Sequence, residues 1–279
     1  MPLYINTNVA SLNAQAALGR TQAALGSNLE RLSSGSRINQ ASDDSAGLGI
    51  SESLRAEIAG LQQATRNAND GVSMSQVAEG AMNQQAAILT RLRSLAVESA
   101  NGTLAQTERG FINTEAVQLT SELDRIAAVT AFQGVVMLGS GSGSVSMQVG
   151  AYGTSNDIIS ITFNKTDSTS LGVDYGSGKS VDLSTASSAY ASIAVLDSGI
   201  NNLSTDRAQV GSGQNRLNAA VNNLSTITVN LQAADSRVRD VDVASETASM
   251  TQNQVLSQAG VAVLAQANQL PSLALQLLK

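Results

Sequence analysis

The side chains that most often carry out chemistry are scarce in this chain. Its 279 residues include no His and no Cys, which excludes imidazole bases, thiolate nucleophiles and the best zinc ligands. One candidate that remains is the adjacent carboxylate pair Asp43 and Asp44. Adjacent residues on a helix point to different sides, and no third ligand or neighbouring base accompanies them. Because they follow Ser42 just before a helix, we expect a capping and connecting role.

A second candidate is a group of glycines that superficially resembles a phosphate-binding loop. Its members are Gly134, Gly139, Gly141 and Gly143. No Gly-Lys-Ser/Thr sequence follows, and no helix start or acidic partner is placed as a dinucleotide fold requires. Flexible hairpin glycines are the favoured interpretation. We therefore expect no catalytic residue, no cofactor and no metal site, and we do not expect an enzyme.

Composition favours long helices packed along thin aliphatic seams. Hydrophobic residues make up 42% of the chain but aromatic residues only 3%, and the net charge is −6. No Lys/Arg cluster could neutralise a run of phosphates, so nucleic-acid binding is not expected. A membrane-active bundle fits poorly, because its polar faces should be rich in Lys and Arg with aromatic anchors. No stretch approaches the ~20 apolar residues of a membrane span.

The longest pattern is a heptad row of apolar residues in the C-terminal half. It begins at Leu196 and continues at Leu203, Val210, Leu217, Leu224, Leu231 and Val238. Such a seam must bury itself against other helices. Gly211 and Gly213 interrupt it at a cost of about 1 kcal/mol each relative to Ala, which leaves a kink open. A further stripe follows at Leu256, Val263 and Leu270 with Leu264 beside it, and Pro271 is expected to end that helix or break its last turn.

Three other segments have helical spacing, and a fourth region alternates. The helical segments are residues 3–34, about 45–100 with a weak point at Asp70-Gly71, and about 106–130. Their apolar positions are Leu18, Leu25, Leu29 and Leu32 in the first, Val77, Ala81, Ile88, Leu92 and Leu95 in the second, and Ile112, Ala116, Leu119, Leu123 and Ile126 in the third. The alternating residues predict a β-hairpin; they are Val145, Met147 and Val149 with Ile159, Ile161 and Phe163.

The order of these segments predicts a mainly α fold. The outermost segments match each other in length and pattern, the next inward match each other, and the strands lie between them. A chain that runs out along a rod and returns along it gives this order. We therefore expect an elongated antiparallel helical coiled-coil rod with a small β-hairpin, in which the N- and C-terminal helices pair. The expected rod seam comprises Ile88, Leu92, Leu119, Leu123 and Ile126 with the heptad row from Leu203 to Val238.

Several ordered motifs resemble those of bacterial flagellin. Near the N-terminus they are Ile5-Asn6-Thr7-Asn8, then Leu29-Glu30-Arg31-Leu32-Ser33-Ser34-Gly35, then Asp43-Asp44-Ser45-Ala46-Gly47. Near the C-terminus they are Gln214-Asn215-Arg216-Leu217, Ser236-Arg237-Val238-Arg239-Asp240, Leu264-Ala265-Gln266-Ala267-Asn268-Gln269 and the Leu277-Leu278 ending. The resemblance covers about residues 1–140 and 189–279, so it implies a short form in which the outer domains are essentially absent.

The resemblance implies three domains and a function. Residues 1–42 with 242–279 would form an inner terminal coiled coil, and residues 43–163 with 189–241 a rod domain that carries the hairpin. Residues 164–188 would form a short, variable, exposed connection in place of the outer domains. The implied function is a structural subunit that polymerises helically into the flagellar filament for swimming. The alternative is a hook-filament junction protein of the same superfamily.

The resemblance also implies residue roles and partners. Leu18, Leu25, Leu29 and Leu32 would meet Leu256, Val263, Leu264 and Leu270 in the inner coiled coil, and Asp43 and Asp44 would connect the two domains. The implied partners are further copies of the chain, an export chaperone at the C-terminal helix, and the filament cap and hook-junction proteins. Arg91, Leu95 and Glu115 match the stretch that the vertebrate flagellin-sensing Toll-like receptor contacts. The first eight residues lack the features of a secretory signal, and the resemblance implies type III export to the extracellular filament without a cleaved signal peptide.

Overall fold

The computed structural model describes residues 7–175 and 180–276, with side chains up to residue 269 in the last helix. The elements in chain order are α1 (Val9–Ser34), α2 (Ser45–Ser99), α3 (Gln106–Val129), β1 (Ala131–Phe132), β2 (Val135–Val136), β3 (Gly143–Gln148), β4 (Ile158–Phe163), α4 (Ser168–Leu171), α5 (Ala186–Arg239) and α6 (Val243–Gln276). The prediction of a mainly α chain with a small β-hairpin is confirmed. The contacts divide the chain into two compact units, Met1–Ala56 with Asn230–Lys279 and Glu57–Val229.

The unit Glu57–Val229 has a continuous aliphatic core shared by α2, α3 and α5. Strands β3 and β4 pair antiparallel, with Val145 opposite Ile161 and Met147 opposite Ile159, as the alternation predicts. Phe163 and Ile161 lie on the buried face of this hairpin, which closes one side of the core. The buried stripe of α2 matches the predicted one in part. Leu92 and Leu95 are buried as predicted, but Val77 is 43% exposed, and the buried positions before Leu92 are Ala78, Met82, Gln85 and Leu89.

Two helices pass unbroken through glycines where the sequence suggested weak points. Helix α2 continues through Gly71, and α5 continues through Gly211 and Gly213. A Cβ at Gly213 would lie 2.8 Å from Cγ1 of Ile161, and one at Gly71 would lie 2.8 Å from Cδ1 of Leu217. These two glycines therefore allow close packing of α5 on the hairpin and of α2 on α5, and no kink is needed to explain them.

The described residues of this segment, 164–175 and 180–188, do not form the exposed connection that the sequence predicted. Their apolar side chains are buried in the core, at Leu171, Val173, Val181 and Leu183. The segment is also held by hydrogen bonds to buried polar groups. Gln85 Nε2 donates to the carbonyl oxygen of Thr166 at 3.1 Å, Thr166 Oγ1 donates back to Gln85 Oε1 at 2.8 Å, and Ser99 Oγ donates to the carbonyl oxygen of Leu183 at 2.8 Å. Scattered apolar residues in a polar sequence thus reach one core by long-range contacts that local pattern does not reveal.

In the terminal unit, each break in the helices has a local cause. Helix α1 begins after Asn8, whose Oδ1 accepts from the backbone N–H of Ser11, and ends at Gly35 with φ of 70°, a left-handed conformation that glycine adopts without strain. Helix α5 ends at Arg239 and α6 begins at Val243, so a break lies where the resemblance implied a domain boundary between residues 241 and 242. A bridge between Ser36 and Asp240 joins the two connections.

Pro271 does not end α6, contrary to the prediction, because the helix continues to Gln276. Proline has no N–H, so it leaves the carbonyl oxygen four residues earlier without its helical partner. That carbonyl belongs to Ala267, and it accepts instead from Asn8 Nδ2 at 2.8 Å. The hydrogen bond from Asn8, the residue before α1, gives this carbonyl oxygen a partner and so removes one cost of a proline inside α6.

Candidate assembly surface on the terminal helices

Helices α1 and α6 pair in antiparallel fashion along a seam of mostly small side chains. The start of α1 lies beside the end of α6, since Ser11 Oγ donates to Asn268 Oδ1 at 2.8 Å. Farther along, a Cβ on Gly260 would lie 3.9 Å from Cβ of Leu18, and Asn253 Nδ2 donates to Asn28 Oδ1 at 3.3 Å. The pairing of the N- and C-terminal helices is therefore present within one chain.

The predicted assembly residues divide between this seam and the outer faces of the helices. Leu18, Leu25, Leu32 and Leu264 are half-buried. Leu29, Leu256 and Val263 are exposed, by 53%, 49% and 56%. The Leu256 and Val263 stripe therefore does not face α1, and the side chain of Leu270 lies outside the described residues. Sequence reasoning selected large apolar residues, whereas the face of α6 toward α1 consists mainly of smaller ones.

The seam residues, of which sequence reasoning identified only Leu18, Leu25 and Leu264, have a recognisable spacing. On α6 they recur at intervals of three and four residues, at Asn253, Ser257, Gly260, Leu264 and Ala267, and on α1 at Ser11, Ala14, Leu18, Thr21, Leu25 and Asn28. This is heptad spacing, but only Leu18 and Leu25 on α1 and Leu264 on α6 are large and apolar. A search for small residues at heptad spacing would have found the others.

The outer faces of α1 and α6 expose large apolar side chains. They include Val9, Leu12 and Leu29 on α1, and Val243, Val255, Leu256, Val261 and Val263 on α6. Single exposed apolar residues are normal on protein surfaces. Eight of them on two adjacent helices favour an interaction surface.

The connection between α1 and α2 is organised by the two aspartates. Asp44 Oδ1 accepts from the backbone N–H of Gly47 at 2.8 Å and so caps α2. Asp43 Oδ2 accepts from the backbone N–H groups of Gln40 and Asn39, both at 3.0 Å. These bonds to the charged form lower the pKa of the Asp43 carboxyl, aided by the charge of Arg31. Among the described residues, no group of three acidic side chains is placed to hold a metal ion.

The predicted rod-seam residues lie at graded depths. Leu92, Leu123, Leu203, Val210, Leu217 and Leu224 are buried. Ile88, Leu119, Ile126, Leu231 and Val238 are half-buried. All of the buried positions lie in the unit Glu57–Val229. Leu231 and Val238, which come after that unit in the sequence, are only half-buried.

The three residues of the predicted receptor contact do not share one surface. Arg91 and Glu115 are exposed and form an ion pair, with 2.7 Å between Arg91 Nη2 and Glu115 Oε1. Leu95 is only 1% exposed and belongs to the core. The prediction that Leu95 contacts a receptor is therefore wrong for this chain, because its side chain is covered by the chain's own packing.

These features define a class: a helical structural protein with a well-packed core in one unit and an exposed apolar surface on its terminal helix pair. No described helix is long and apolar enough to span a membrane. Residues 5–142 match the model of the bacterial flagellin N-terminal helical region, and residues 193–278 match that of the C-terminal helical region. The chain belongs to the bacterial flagellin family.

Individual relatives agree with this assignment. A flagellin of Halalkalibacterium halodurans is 40% identical over 277 residues, which cover 99% of this chain and 100% of the relative. The flagellar filament 33 kDa core protein of Treponema phagedenis is 38% identical over 286 residues, which cover 99% of this chain and 100% of that relative. The crystal structure of Bacillus cereus flagellin matches with a TM-score of 0.50 and 29% identity, over 61% of this chain and 94% of that one. The chain is thus a structural filament subunit and not an enzyme, and the flagellin expectation is favoured over the hook-junction alternative.

Proposed function

We propose that α1 and α6 carry the contacts through which copies of this chain assemble into the helical filament. The supporting observation is how little the helix pair buries. Helix α1 buries only Ser11 and Asn28, and the one buried residue among the described side chains of α6 is Ala267. Ordering the backbone costs roughly 1–2 kcal/mol per residue, and a pair that buries no large apolar side chain gains little in return. Further burial has to come from other copies.

The outer apolar faces suit this role. Contacts in an open helical polymer are heterologous, so one face of a subunit meets a different face of the next. The α6 face that includes Leu256 and Val263 and the α1 face that includes Leu12 and Leu29 are both exposed and apolar. We infer that these faces meet between neighbouring copies, and that residues 1–42 with 242–279 act as the inner assembly domain.

Seeded filament growth tests the proposal. The double variant Leu256→Ser and Val263→Ser removes two exposed apolar side chains that would be buried on assembly. Each is worth about 1.5–3 kcal/mol when fully buried, so we expect the protein concentration required for growth to rise by more than about tenfold. Pelleting and negative-stain microscopy on wild-type seeds measure this.

The matched control substitutes exposed polar residues of the same helix, Gln252→Ser and Gln258→Ser. The control should grow as wild type does. Circular dichroism of the unassembled proteins shows whether the two double variants differ in helix content. Normal growth of the Leu256 and Val263 variant would refute the assignment of this face to assembly.

Further steps and partners extend the proposal. We infer that the chain is exported unfolded through the flagellar type III apparatus, without a cleaved signal peptide, to an extracellular filament. A cytoplasmic chaperone would cover the exposed apolar face of α6 before export, and cap and hook-junction proteins would contact the assembled chain. Family membership and the exposed Leu256 and Val263 support these inferences.

For the vertebrate flagellin-sensing receptor, we propose a contact surface centred on Arg91 and Glu115. Both side chains are exposed and paired across α2 and α3. Arg91→Ala should lower the activation of receptor-bearing cells by the purified protein. Arg125→Ala, which removes another exposed Arg paired with a glutamate, is the matched control. Equal activation by wild type and Arg91→Ala would exclude this surface.

A further inference from the structure

The α1–α6 seam offers few large side chains that could fix how far one helix slides along the other. Opposite Leu18 lies Gly260, and the positions one heptad away from Gly260 are Asn253 and Ala267. A slip of one heptad therefore places Asn253 or Ala267 opposite Leu18 instead of Gly260, and all three are small residues. Sequences with flat, small-residue faces specify register weakly, whereas single polar residues at seam positions specify it strongly. The register of this pair therefore depends on its polar contacts.

The first polar contact is a pair of asparagines inside the seam. Asn28 is 7% exposed, and its Oδ1 accepts from Asn253 Nδ2 at 3.3 Å. A slip of one heptad would place Asn28 opposite Gly260 or Glu246. Opposite Gly260, which offers no side chain, the buried amide of Asn28 would lose its partner, and an unsatisfied buried polar group is costly. The carboxylate of Glu246 can accept from the Asn28 amide, so this contact disfavours a slip in one direction only.

The second polar contact lies at the other end of α1. Asn8 Nδ2 donates to the carbonyl oxygen of Ala267, which is free because residue 271 is proline. After a slip of one heptad in one direction, Asn8 would meet the carbonyl of Gly260, which has the ordinary helical N–H of Leu264 as its partner. In this part of α6, the acceptor for Asn8 thus exists at one position of the helix.

We propose that Asn28–Asn253 and Asn8–Ala267, the latter through Pro271, are positioning contacts that set a single register of α1 against α6. The first contact disfavours the slip that brings Asn28 opposite Gly260, and the second disfavours the opposite slip, which brings Asn28 opposite Glu246. Both together, separated by about 30 Å along α1 at ~1.5 Å per residue, are satisfied in one register only. Neighbouring copies then meet one fixed arrangement of the outer apolar faces, which a regular filament requires.

Engineered disulfides can measure the register, because the natural chain has no Cys. The pair Leu18→Cys with Gly260→Cys reports the observed register, since the two Cβ positions lie 3.9 Å apart, within the usual range for a disulfide. The pair Leu18→Cys with Ala267→Cys reports the slip that brings Asn28 opposite Gly260, and the pair Leu25→Cys with Glu246→Cys reports the opposite slip. Each pair is placed in the natural background, in Asn28→Ala with Asn253→Ala, in Pro271→Ala, and in the three substitutions combined.

The proteins are oxidised both unassembled and after co-assembly with excess wild-type subunits, and intrachain and interchain bonds are separated by electrophoresis. In co-assembled protein of the natural background we expect the first pair to close and the two slipped-register pairs to stay open. With both contacts removed, we expect closure of the slipped-register pairs to rise at least about tenfold. Loss of one contact alone should raise closure only of the pair that reports the slip which that contact disfavours. Asn13→Ala, an exposed Asn on α1, is the control and should change nothing.

A merely stabilising role for these residues would lower closure of the observed-register pair without any closure of the slipped-register pairs. That result would overturn the proposal. Unchanged closure of every cysteine pair, or disulfide bonds that form mainly between chains, would also overturn it. Comparing unassembled with co-assembled protein separates a change of register from a loss of assembly, so failure of the proposed assembly surface would be seen independently.

Discussion

Gly211 and Gly213 lie two residues apart in α5, yet their surroundings differ. A Cβ at Gly211 would have no atom within 4 Å, whereas one at Gly213 would lie within 2.8–3.3 Å of three side-chain carbons of Ile161. Ile161 is 2% exposed and sits in the core, so it has little space to move. Helix propensity favours Ala over Gly at both positions. Close packing against Ile161 disfavours Ala at position 213 only.

The two substitutions should therefore change stability in opposite directions. Gly211→Ala should raise the free energy of unfolding by about 0.5–1 kcal/mol, because Ala is the better helix former. Gly213→Ala should lower it by about 1–3 kcal/mol, because the hairpin must shift to admit the methyl group. Urea unfolding of the unassembled protein, followed by circular dichroism, measures both. Stabilisation by Gly213→Ala would show that α5 and the hairpin are not packed as closely as described.

At the scale of elements, the sequence predicts what depends on neighbours along the chain. The heptad row from Leu196 to Val238 placed α5, and alternation placed β3 and β4 in the correct pairing. The cap at Asp44 also follows from local residue types. Each of these depends on contacts within a few residues or on a regular repeat of large apolar side chains, which periodicity detects directly.

The sequence failed where the structure depends on contacts between distant segments. Residues 164–188 looked like an exposed connection because their polar composition conceals Val173 and Leu183, which are buried only when α2, α3 and α5 surround them. Leu95 was an apolar position of the second predicted helix, and only the resemblance assigned it to a receptor contact; its burial agrees with the helical pattern. In the candidate site, the large residues Leu256 and Val263 attracted attention, while the partner of α1 is the face that includes Gly260. Pro271 was expected to end α6 or break its last turn. The carbonyl oxygen of Ala267, which loses its helical partner at this proline, accepts instead from Asn8, 259 residues away from Ala267 in the chain.

At the scale of the whole molecule, the two units differ in how they are stabilised. The unit Glu57–Val229 contains nearly all of the buried large apolar residues, from Leu61 to Leu224. In the terminal unit, Ile38 is the only large apolar side chain among the described residues that is almost completely buried. Local opening of a structure is easiest where few apolar contacts are lost. The terminal helices should therefore open far more readily than the other unit in an unassembled chain.

Amide hydrogen exchange on unassembled protein and on filaments tests this difference. In unassembled protein we expect rapid exchange in residues 1–40 and 242–279, because ordering these helices without neighbours gives little burial in return. Residues 57–229 should be protected in both states, which provides an internal control within each sample. In filaments, neighbouring copies should cover the outer faces of α1 and α6, so protection there should rise by about two orders of magnitude or more, equivalent to about 3 kcal/mol. Strong protection of the terminal helices before assembly would show that their small-residue seam and its polar contacts are sufficient by themselves, and assembly would then join preformed helix pairs.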